Sequence, residues 1–312
     1  RLLSRGLGDV YKRQGGNFLS ATPDTIATAE GLNRVKLTVQ VSTKLNRSHL
    51  VTGETALILP CLGRTELDVQ ASGKQFVTVE NSMGIVHTSY GNLKPVSSNL
   101  RSESWIVASL ATATLDDNRD WMELVHNYDN IRSLMSEALD GFENYNERVR
   151  KSEGFALPNP PRDSRTFSTP DKKAHFIAHD LPEVTVPSGK YVMMTIRSHD
   201  QYNTTIYDVH DRYRGVHGNR RIIFMNANDM IKRGWKTRRI VDIVSHFNGE
   251  ERRSNGWTII AYDIPEGNIA TYFPEANVLV PLKSTAEKSN TPTSKWIICS
   301  LLEPGQGLFE EE

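Results

Sequence analysis

The chain has almost no cysteine and no excess of charge of either sign. Its 312 residues include two cysteines, Cys61 and Cys299, and equal totals of 37 basic and 37 acidic residues. Two cysteines give neither a disulfide framework nor a Cys-x-x-Cys metal site. A net charge of zero argues against a protein dedicated to nucleic acid or to an anionic membrane. A cytoplasmic protein is therefore expected, with a bacterial periplasm left open.

Long apolar runs and familiar catalytic motifs are also missing. No run approaches the roughly 18 apolar residues of a membrane span, so none is expected. The sequence contains no G-x-S-x-G, no H-E-x-x-H and no paired-carboxylate signature. It also lacks the G-x-G-x-x-G turn, with its downstream acidic residue, of a nicotinamide-dependent dehydrogenase. These absences leave no catalytic residue and no metal ligand to assign within this chain.

The first half of the chain has the pattern of an open α/β sheet. Residues 1–14 show neither helix nor strand period and are expected to be a non-native leader, so that the strand before Gly15 is missing. Thr22 is predicted to cap a helix that ends at Gly31 or Asn33. Strands are predicted at 35–42, at 55–60 as a buried parallel strand, and at 74–82. A helix from about Ser102 and an amphipathic helix or helix pair up to Arg150 follow.

The second half has the pattern of a β-barrel. Residues 151–170 carry four prolines without a period and are predicted to be a linker. Beyond them, short β-rich runs alternate with turn residues, which is typical of a barrel. The predicted strands lie in the runs VTVPSGKYVMMTI, RRIIFMN, RRIVDIVSHF, WTIIAYDI, NIATYF, NVLVPL and KWIICSL. The expected domains are therefore an α/β part at 15–150 and a barrel at 171–312.

Two polar stretches follow strand positions in the α/β half. The sequence GGNF at 15–18 begins a helix, and its glycines would let backbone N–H groups approach a phosphate at Gly16 and Asn17. The sequence QVSTKLNRSH at 40–49 offers Ser42, Thr43 and Asn46 for a base or a ribose. The alternatives, a plain tight turn and an Asx-type turn that caps the next segment, remain open.

The most unusual stretch is RSHDQYNTTIYDVHDRYRGVHGNRR at 197–221, which holds five arginines and no lysine. Guanidinium groups are forked donors that suit pyrophosphate, so an anion-binding loop is predicted. A solvated loop is the alternative. A metal site at His199, His210 and His217 is weakly supported, because their spacing matches no compact ligand set. A later polar loop offers Asn277 and Lys295, which could equally be turn residues.

In this order, the four stretches resemble the molybdopterin oxidoreductases that use a bis-molybdopterin guanine dinucleotide, and their formate-dehydrogenase-like branch most closely. The resemblance covers nearly all of 15–303. It implies a partial doubly wound parallel-sheet domain followed by a double-psi β-barrel-like domain, in a C-terminal fragment. The segment TIRSHDQYNTT is similar to a cofactor loop of the barrel, and the segment ending in TPTSKW is similar to its terminal loop. Glu66 and Trp105 match further positions of the family.

The resemblance also implies a cofactor and a set of residues that contact it. These are Gly16, Asn17, Ser42, Thr43, Asn46, Arg197, His199, Gln201, Tyr202, Asn203, Thr204, Asn277 and Lys295. Catalytic residues, the molybdenum ligand and a 4Fe–4S cluster are expected only upstream of this chain. The expected activity is two-electron oxidation of a small molecule, with formate as the leading substrate, and with a possible electron-transfer partner. The alternative is a binding module for nucleic acid or another phosphate ligand, without redox chemistry.

Overall fold

A computed structural model of the protein describes residues 10–181, 185–204 and 206–306. The first nine residues of the predicted leader lie outside this part of the chain. Contacts divide the chain into two compact units. The first holds described residues within 1–40, 45–58 and 182–312, and the second those within 41–44 and 59–181. The predicted boundaries at 150 and 171 follow chain order, whereas the contacts group the first segments with the barrel strands.

The strands are short and the helices are few in the described residues. The strands are β1 (Val10–Gln14), β2 (Leu37–Ser42), β3 (Thr55–Pro60), β4 (Val69–Gln70), β5 (Gly73–Lys74), β6 (Val77–Glu80), β7 (Ile85–Ser89), β8 (Phe155–Ala156), β9 (Tyr191–Ile196), β10 (Ile222–Met225), β11 (Ile240–Phe247), β12 (Glu250–Ala261), β13 (Asn268–Tyr272) and β14 (Ile297–Leu302). The helices are α1 (Phe18–Ala21), α2 (Thr25–Asn33), α3 (Glu103–Thr114), α4 (Trp121–His126), α5 (Tyr128–Ala138), α6 (Tyr145–Arg148), α7 (Pro160–Ser164) and α8 (Ala227–Lys232). Three 3₁₀ helices lie at Arg47–His49, Arg212–Arg214 and Glu275–Leu279.

The first sheet has three strands in the order β1-β2-β3. β2 and β3 run parallel, as predicted. β1 leads directly into Gly15, so the expectation that no strand precedes this glycine was wrong. The charged residues of β1 show no strand pattern in the sequence, and the strand forms because it pairs with β2. β3 was expected to be buried, yet Leu57 and Ile58 are 43% and 44% exposed. The reason is that β3 lies at the edge of the sheet, where it has a neighbouring strand on one side only.

The helix after the glycine turn begins later than predicted. Asp24 caps α2 by accepting a hydrogen bond from the Ala27 N–H at 3.3 Å. Thr22, the predicted cap, instead closes α1, because its N–H donates to the carbonyl of Phe18 at 2.9 Å. The sequence offered two possible caps, and the break between α1 and α2 decides between them. The predicted end at Asn33 is confirmed.

Six strands close into a barrel in the order β10-β12-β11-β14-β9-β13. β10 pairs parallel with β12 and β9 pairs parallel with β13, while the other neighbours are antiparallel. An Asn-Gly turn with positive φ at Asn248 and Gly249 joins β11 to β12, as tight hairpins require. Trp257 and Ile259 are among the fully buried side chains of its core.

The run NVLVPL was predicted as a strand, which is wrong. Its first residues belong to the 3₁₀ helix Glu275–Leu279, which follows Pro274. Leu279 and Val280 are fully buried against the barrel core. Their apolar character therefore reflects packing rather than ladder pairing, and the flanking Pro274 and Pro281 disfavour a paired strand because proline lacks an N–H.

The second unit is assembled from small pieces. β6, β7 and β8 form an antiparallel sheet, so the predicted strand at 74–82 exists in part. α3 begins after Ser102, whose Oγ accepts from the Trp105 N–H at 3.2 Å, as predicted. The predicted helix pair is the series α4, α5 and α6. The region 151–170 holds β8 and α7, and Phe155 of β8 is buried.

Candidate functional site

The buried carboxylate of Asp211 fixes the conformation of the stretch 197–221, which is called the arginine loop below. Asp211, 2% exposed, accepts from the Tyr272 hydroxyl at 2.8 Å and from the Arg214 guanidinium at 2.7 Å. It also accepts from the backbone N–H of His199 at 3.2 Å and lies 3.1 Å from Nδ1 of the same residue. Desolvation raises its pKa, but these hydrogen bonds outweigh it and lower the pKa to about 2. Asp211 is therefore ionised at neutral pH and fixes the loop.

A second internal anchor is Arg220, which is 6% exposed. Its guanidinium donates to the Glu275 carboxylate at 2.8 Å, and it lies over the Tyr272 ring. Its further acceptors are the Ser198 hydroxyl at 2.8 Å, the Phe273 carbonyl at 2.8 Å, the Asp208 carbonyl at 3.1 Å and the Gln201 amide oxygen at 3.1 Å. A guanidinium with this many protein partners stabilises the loop rather than contacting a ligand.

The five arginines therefore do not converge on one anion. Arg214 and Arg220 bind protein groups, and Arg221 donates to the Asn255 carbonyl at 2.7 Å. Arg197, Arg212 and Arg221 are the exposed members. Sequence counting could not separate these roles, because an arginine that binds a buried carboxylate has the same residue type as one that binds phosphate.

Lys295, the other predicted cationic contact, is held next to the start of the arginine loop. It donates to the carbonyl of Thr195, two residues before Arg197. Desolvation, together with the charge of Arg197, lowers the pKa of Lys295. Arg197 donates to the Asn203 side chain at 2.7 Å. Over residues 10–181, 185–204 and 206–306, neither cation has a carboxylate within ion-pairing distance. Two neighbouring cations without a counter-charge are what an anion site requires.

The other predicted residues of this loop divide into exposed and internal groups. The His199 side chain is 45% exposed and its ring lies 4.5 Å from that of Tyr213. Tyr202 is 66% exposed, Asn203 has a positive φ of 49°, and Thr204 is half-buried. The amide of Gln201 binds the Ser198 N–H and the Phe273 carbonyl at 2.9 Å each, so Gln201 shapes the loop.

The glycine turn at 15–18 and the part of the second polar stretch that contains Asn46 and Ser48 lie together in the first unit. The Asn46 amide donates to the Gly16 carbonyl at 2.8 Å. The Ser48 hydroxyl donates to the Asn17 side chain at 3.2 Å and accepts from the Leu19 N–H at 3.0 Å. Gly16 has a φ of 77°, which favours glycine. Asn46 therefore has the structural role of an Asx-type turn, whatever else it contacts.

Buried polar atoms without partners lie beside this turn. Gln40 donates to the Ser48 carbonyl at 2.8 Å, but its Oε1 has no partner, and neither has Nε2 of His49. Buried polar atoms are normally hydrogen-bonded, so these two atoms mark an incompletely satisfied region. Ser42 and Thr43 belong to the second unit, where Ser42 is buried and Thr43 is exposed.

The 3₁₀ helix Glu275–Leu279 connects the arginine loop to the glycine turn. At one end, Glu275 binds Arg220. Two residues later, the Asn277 amide donates to the Ser20 carbonyl at 2.6 Å, and the Asn277 carbonyl accepts from the Asp24 N–H at 2.8 Å. Asn277, predicted to contact the cofactor, is 3% exposed, and its hydrogen bonds join the 3₁₀ helix to the segment after the glycine turn. The glycine turn and the arginine loop thus belong to one compact unit.

Sequence reasoning missed four residues that fix this site, namely Asp211, Arg220, Tyr272 and Glu275. Tyr272 ends a strand with an alternating pattern, and Asp211 stands among exposed polar residues. Neither position shows a local signal of burial. Only pairing between distant residues reveals them, 55 positions apart for Arg220 and Glu275 and 61 positions apart for Asp211 and Tyr272.

The second unit holds the two further residues that the resemblance marked. Both Glu66 carboxylate oxygens accept backbone N–H groups, from Gly63 at 2.6 Å and from Val96 at 3.0 Å. Trp105 packs in an apolar cluster, with Arg101 over its ring at 5.4 Å. A small cavity of about 90 Å³ lies beside Glu66, with Asp68 and Tyr128 among its lining residues. Glu66 therefore closes two loops within its own unit.

The described residues contain no group of three or more His, Cys, Asp or Glu that could hold a metal ion. His210 and His217 lie with ring centroids 5.7 Å apart, while His199 pairs with Asp211. None of the described helices combines the length and the apolar character needed to span a bilayer.

Comparison with known proteins identifies one domain. Residues 191–298 match the model of the molydopterin dinucleotide binding domain, a range that contains the arginine loop, Asn277 and Lys295. The chain therefore carries a molydopterin dinucleotide binding domain, which confirms the resemblance to molybdopterin proteins. It is 49% identical over 308 residues to an uncharacterized oxidoreductase of Mycobacterium tuberculosis. It is also 42% identical over 291 residues to the protein YdeP of Escherichia coli K12.

The matches with the two relatives cover most of this chain but less than half of each relative. It spans 96% of the chain and 40% of the mycobacterial protein, and 91% of the chain and 38% of YdeP. Among solved structures, acetylene hydratase from Pelobacter acetylenicus is similar with a TM-score of 0.57 and 12% identity. That similarity covers 95% of the chain and 44% of the hydratase, and it concerns the fold alone.

Proposed function

We propose that this chain is the part of a molybdenum-dependent oxidoreductase that holds a bis-molybdopterin guanine dinucleotide. The observation that carries the proposal is the pair Arg197 and Lys295. Lys295 donates to the carbonyl of Thr195, two residues before Arg197, and both cations lie within the matched domain without a carboxylate partner among the described residues. A dinucleotide carries pyrophosphate, whose charge and geometry suit a guanidinium fork beside an ammonium group. The residues present therefore fit the phosphate part of this cofactor.

Around that pair, the exposed residues of the loop are proposed to contact the rest of the cofactor. His199, Tyr202 and Thr204 would contact it directly, because their polar atoms are not all bound within the loop. Gln201 and Asn203 would act through loop shape, since their amides bind protein groups. Asn277 would hold the loop and the glycine turn in register.

The glycine turn is the second proposed contact region. The backbone at Gly16 and Asn17, braced by Asn46, is proposed to approach a phosphate or sugar of the cofactor. The unpartnered atoms Gln40 Oε1 and His49 Nε2 support a polar environment there. Ser42 and Thr43 lie in the second unit, and their contact with a nucleotide stays a prediction from the sequence.

The proposed reaction is two-electron oxidation of a small molecule, with formate as the first candidate. When bound, the molybdenum of the cofactor supplies the redox step, and the protein supplies binding and orientation. The oxidoreductase relatives and the resemblance to formate dehydrogenases support this assignment. The residues that ligate molybdenum, a 4Fe–4S cluster and an electron-transfer partner are proposed for the portion of the longer relatives that this chain does not span.

The finer fold assignment is proposed on the same basis. The two parallel pairs, β9 with β13 and β10 with β12, within an otherwise antiparallel barrel support a double-psi topology. The parallel pair β2 and β3, together with the helix α2 that precedes β2, supports part of a doubly wound sheet.

Replacing Arg197 tests the proposal directly. In the full-length protein, Arg197→Ala should lower the molybdenum and pterin content at least about tenfold, since tenfold corresponds to only ~1.4 kcal/mol. Metal analysis and fluorescence of the released, oxidised pterin measure the two contents. Arg221→Ala is the matched control, because Arg221 lies in the same stretch but donates to a backbone carbonyl. Full occupancy in Arg197→Ala would exclude the assignment of this loop.

Formate is tested separately, with the cofactor-loaded enzyme and an artificial electron acceptor. Reduction of the acceptor that depends on formate supports the substrate assignment, and its absence in a protein with full molybdenum content excludes formate. The nucleic-acid alternative predicts retention on phosphocellulose that is lost as salt rises. The internal roles of Arg214 and Arg220 weaken that alternative, because these side chains are not free to contact a phosphate backbone.

A further inference from the structure

Asp211 and His199 form a pair whose geometry determines which ring nitrogen carries the proton. The Asp211 carboxylate is buried, and its Oδ2 accepts from Tyr272, from Arg214 and from the backbone of His199. Its Oδ1 lies 3.1 Å from Nδ1 of His199. An ionised carboxylate only accepts hydrogen bonds, and an unprotonated ring nitrogen is also an acceptor. Nδ1 must therefore carry a proton for this contact to be favourable.

The same constraint leaves the other ring nitrogen unprotonated when the imidazole is neutral. The hydrogen bond made by one nitrogen sets the state of the other. The His199 side chain is 45% exposed, and its ring lies against Tyr213. Within the described ranges, no protein group is within hydrogen-bond distance of Nε2. The neutral ring thus presents a free acceptor beside Arg197, in the loop proposed to contact the cofactor.

We propose that Asp211 is a positioning residue that holds neutral His199 as the Nδ1–H tautomer, so that Nε2 accepts a hydrogen bond from an N–H or O–H of the cofactor. Purine and pterin rings and sugar hydroxyls carry such donors, whereas a fully ionised phosphate has none. Arg197 and Lys295 would then bind phosphate, while His199 recognises a heterocycle or sugar. This inference rests on the proposed cofactor-binding function.

Nitrogen NMR of the histidine rings tests the tautomer without any cofactor. In the labelled chain, the neutral His199 ring should show a protonated Nδ1 and an unprotonated Nε2. The resonance is identified by its loss in His199→Gln. Asp211→Asn should abolish this tautomer preference, because an amide N–H can face Nδ1 instead. A wild-type ring with its proton on Nε2 would overturn the inference.

Two substitutions of His199 test the role of Nε2. Asparagine places its amide near the position of Nδ1 and has nothing at Nε2, while glutamine reaches the position of Nε2. In the full-length protein, His199→Gln should keep most of the bound pterin, and His199→Asn should lose several-fold. Equal retention, equal loss or the reverse order would each contradict the role of Nε2. Because His199 is partly exposed, both variants should fold, which circular dichroism checks.

The outcome is separable from that of the proposed function. If Arg197→Ala keeps full cofactor content, the assignment of the loop to the cofactor fails, whatever the histidine variants show. If Arg197→Ala loses the cofactor but His199→Asn retains it, the loop assignment stands and the inference about Nε2 fails. Tyr272→Phe adds a control, since it removes a bond to Asp211 without altering the Asp211–His199 contact, and the tautomer should persist.

Discussion

The two contact units of this protein are stabilised in different ways. The barrel of the first unit has one large core cluster, in which Trp257, Ile259 and Met193 are fully buried, and a smaller cluster around Phe224. The apolar side chains of the second unit fall into separate small clusters, and polar brackets such as Arg132 and Glu66 connect its segments. Sheet closure gathers apolar residues into one large core, whereas short elements need polar contacts to join them.

Each unit nevertheless contains a buried arginine that joins several of its segments. Arg220 donates to five residues of the first unit. Arg132 of the second unit donates to Asn146 at 2.7 Å and to the Phe76 carbonyl at 3.1 Å. Arg132 also pairs with Asp129 and lies 4.0 Å above the Phe76 ring. A buried charge is stable only when it is fully paired, so both residues fix the conformation of the segments that they join.

The largest effect is expected from the barrel core. Trp257→Ala removes a fully buried ring and should lower the free energy of unfolding by about 3–5 kcal/mol. Hydrogen exchange followed by mass spectrometry should show lost protection in barrel peptides, with little change in peptides from the second unit. Trp296→Ala, at a site 46% exposed, is the control and should cost far less. Equal loss of protection in both units would show that they unfold as one.

A smaller effect is expected from the polar bracket of the second unit. Arg132→Ala removes its bonds to Asn146 and Phe76 and should destabilise that unit by about 2–3 kcal/mol. Protection should fall in peptides around α5 and β6, and the barrel peptides should keep theirs. Arg119→Ala is the matched control, because Arg119 is exposed and lies over the Trp121 ring. If the two variants were equally stable, the hydrogen bonds of Arg132 would not be what holds these segments together.

The smallest effect on stability is expected at Asp211, the buried carboxylate that fixes the arginine loop. Tyr272→Phe removes one donor to Asp211 and should cost about 1–2 kcal/mol at pH 7. Asp211 has a pKa lowered to about 2, from an ordinary value near 3.8. Its stabilising effect is therefore full above pH ~4 and is lost as the pH falls toward 2. The difference between wild type and variant should shrink over that range.

Denaturant titrations between pH 7 and pH 2 measure this effect. Tyr90→Phe serves as the control, since Tyr90 is 63% exposed and should show no such pH dependence. A Tyr272→Phe variant that lost the same stability at pH 2 as at pH 7 would contradict the coupling to the ionised carboxylate.

Much of the fold could be predicted because its signals are local. The strand runs at 37–42 and 191–196 and the cap at Ser102 depend on residues close in sequence. The burial of β3 could not be predicted, because an apolar run at a sheet edge looks like one at its centre. The NVLVPL run was misassigned for a similar reason, since apolar residues pack into a core with or without a ladder.

The candidate site was predictable in position and not in detail. The sequence indicated the polar loop around Arg197 and the terminal loop with Lys295, since Arg, His and Lys are unusual in such density. It could not indicate that Arg220 binds Glu275 or that Asn277 binds Ser20, because these contacts join residues 55 and 257 positions apart.

The amino-acid sequence by itself determined the strands of the barrel, the glycine turn and the residue types that suit a phosphorylated cofactor. The tertiary structure decided which of those residues remain free to contact it. Closure of the barrel buries Asp211 and Arg220, and in a low dielectric each must be paired with neighbours from distant segments. Residues left outside that pairing, above all Arg197, Lys295 and Nε2 of His199, are the ones available for a ligand.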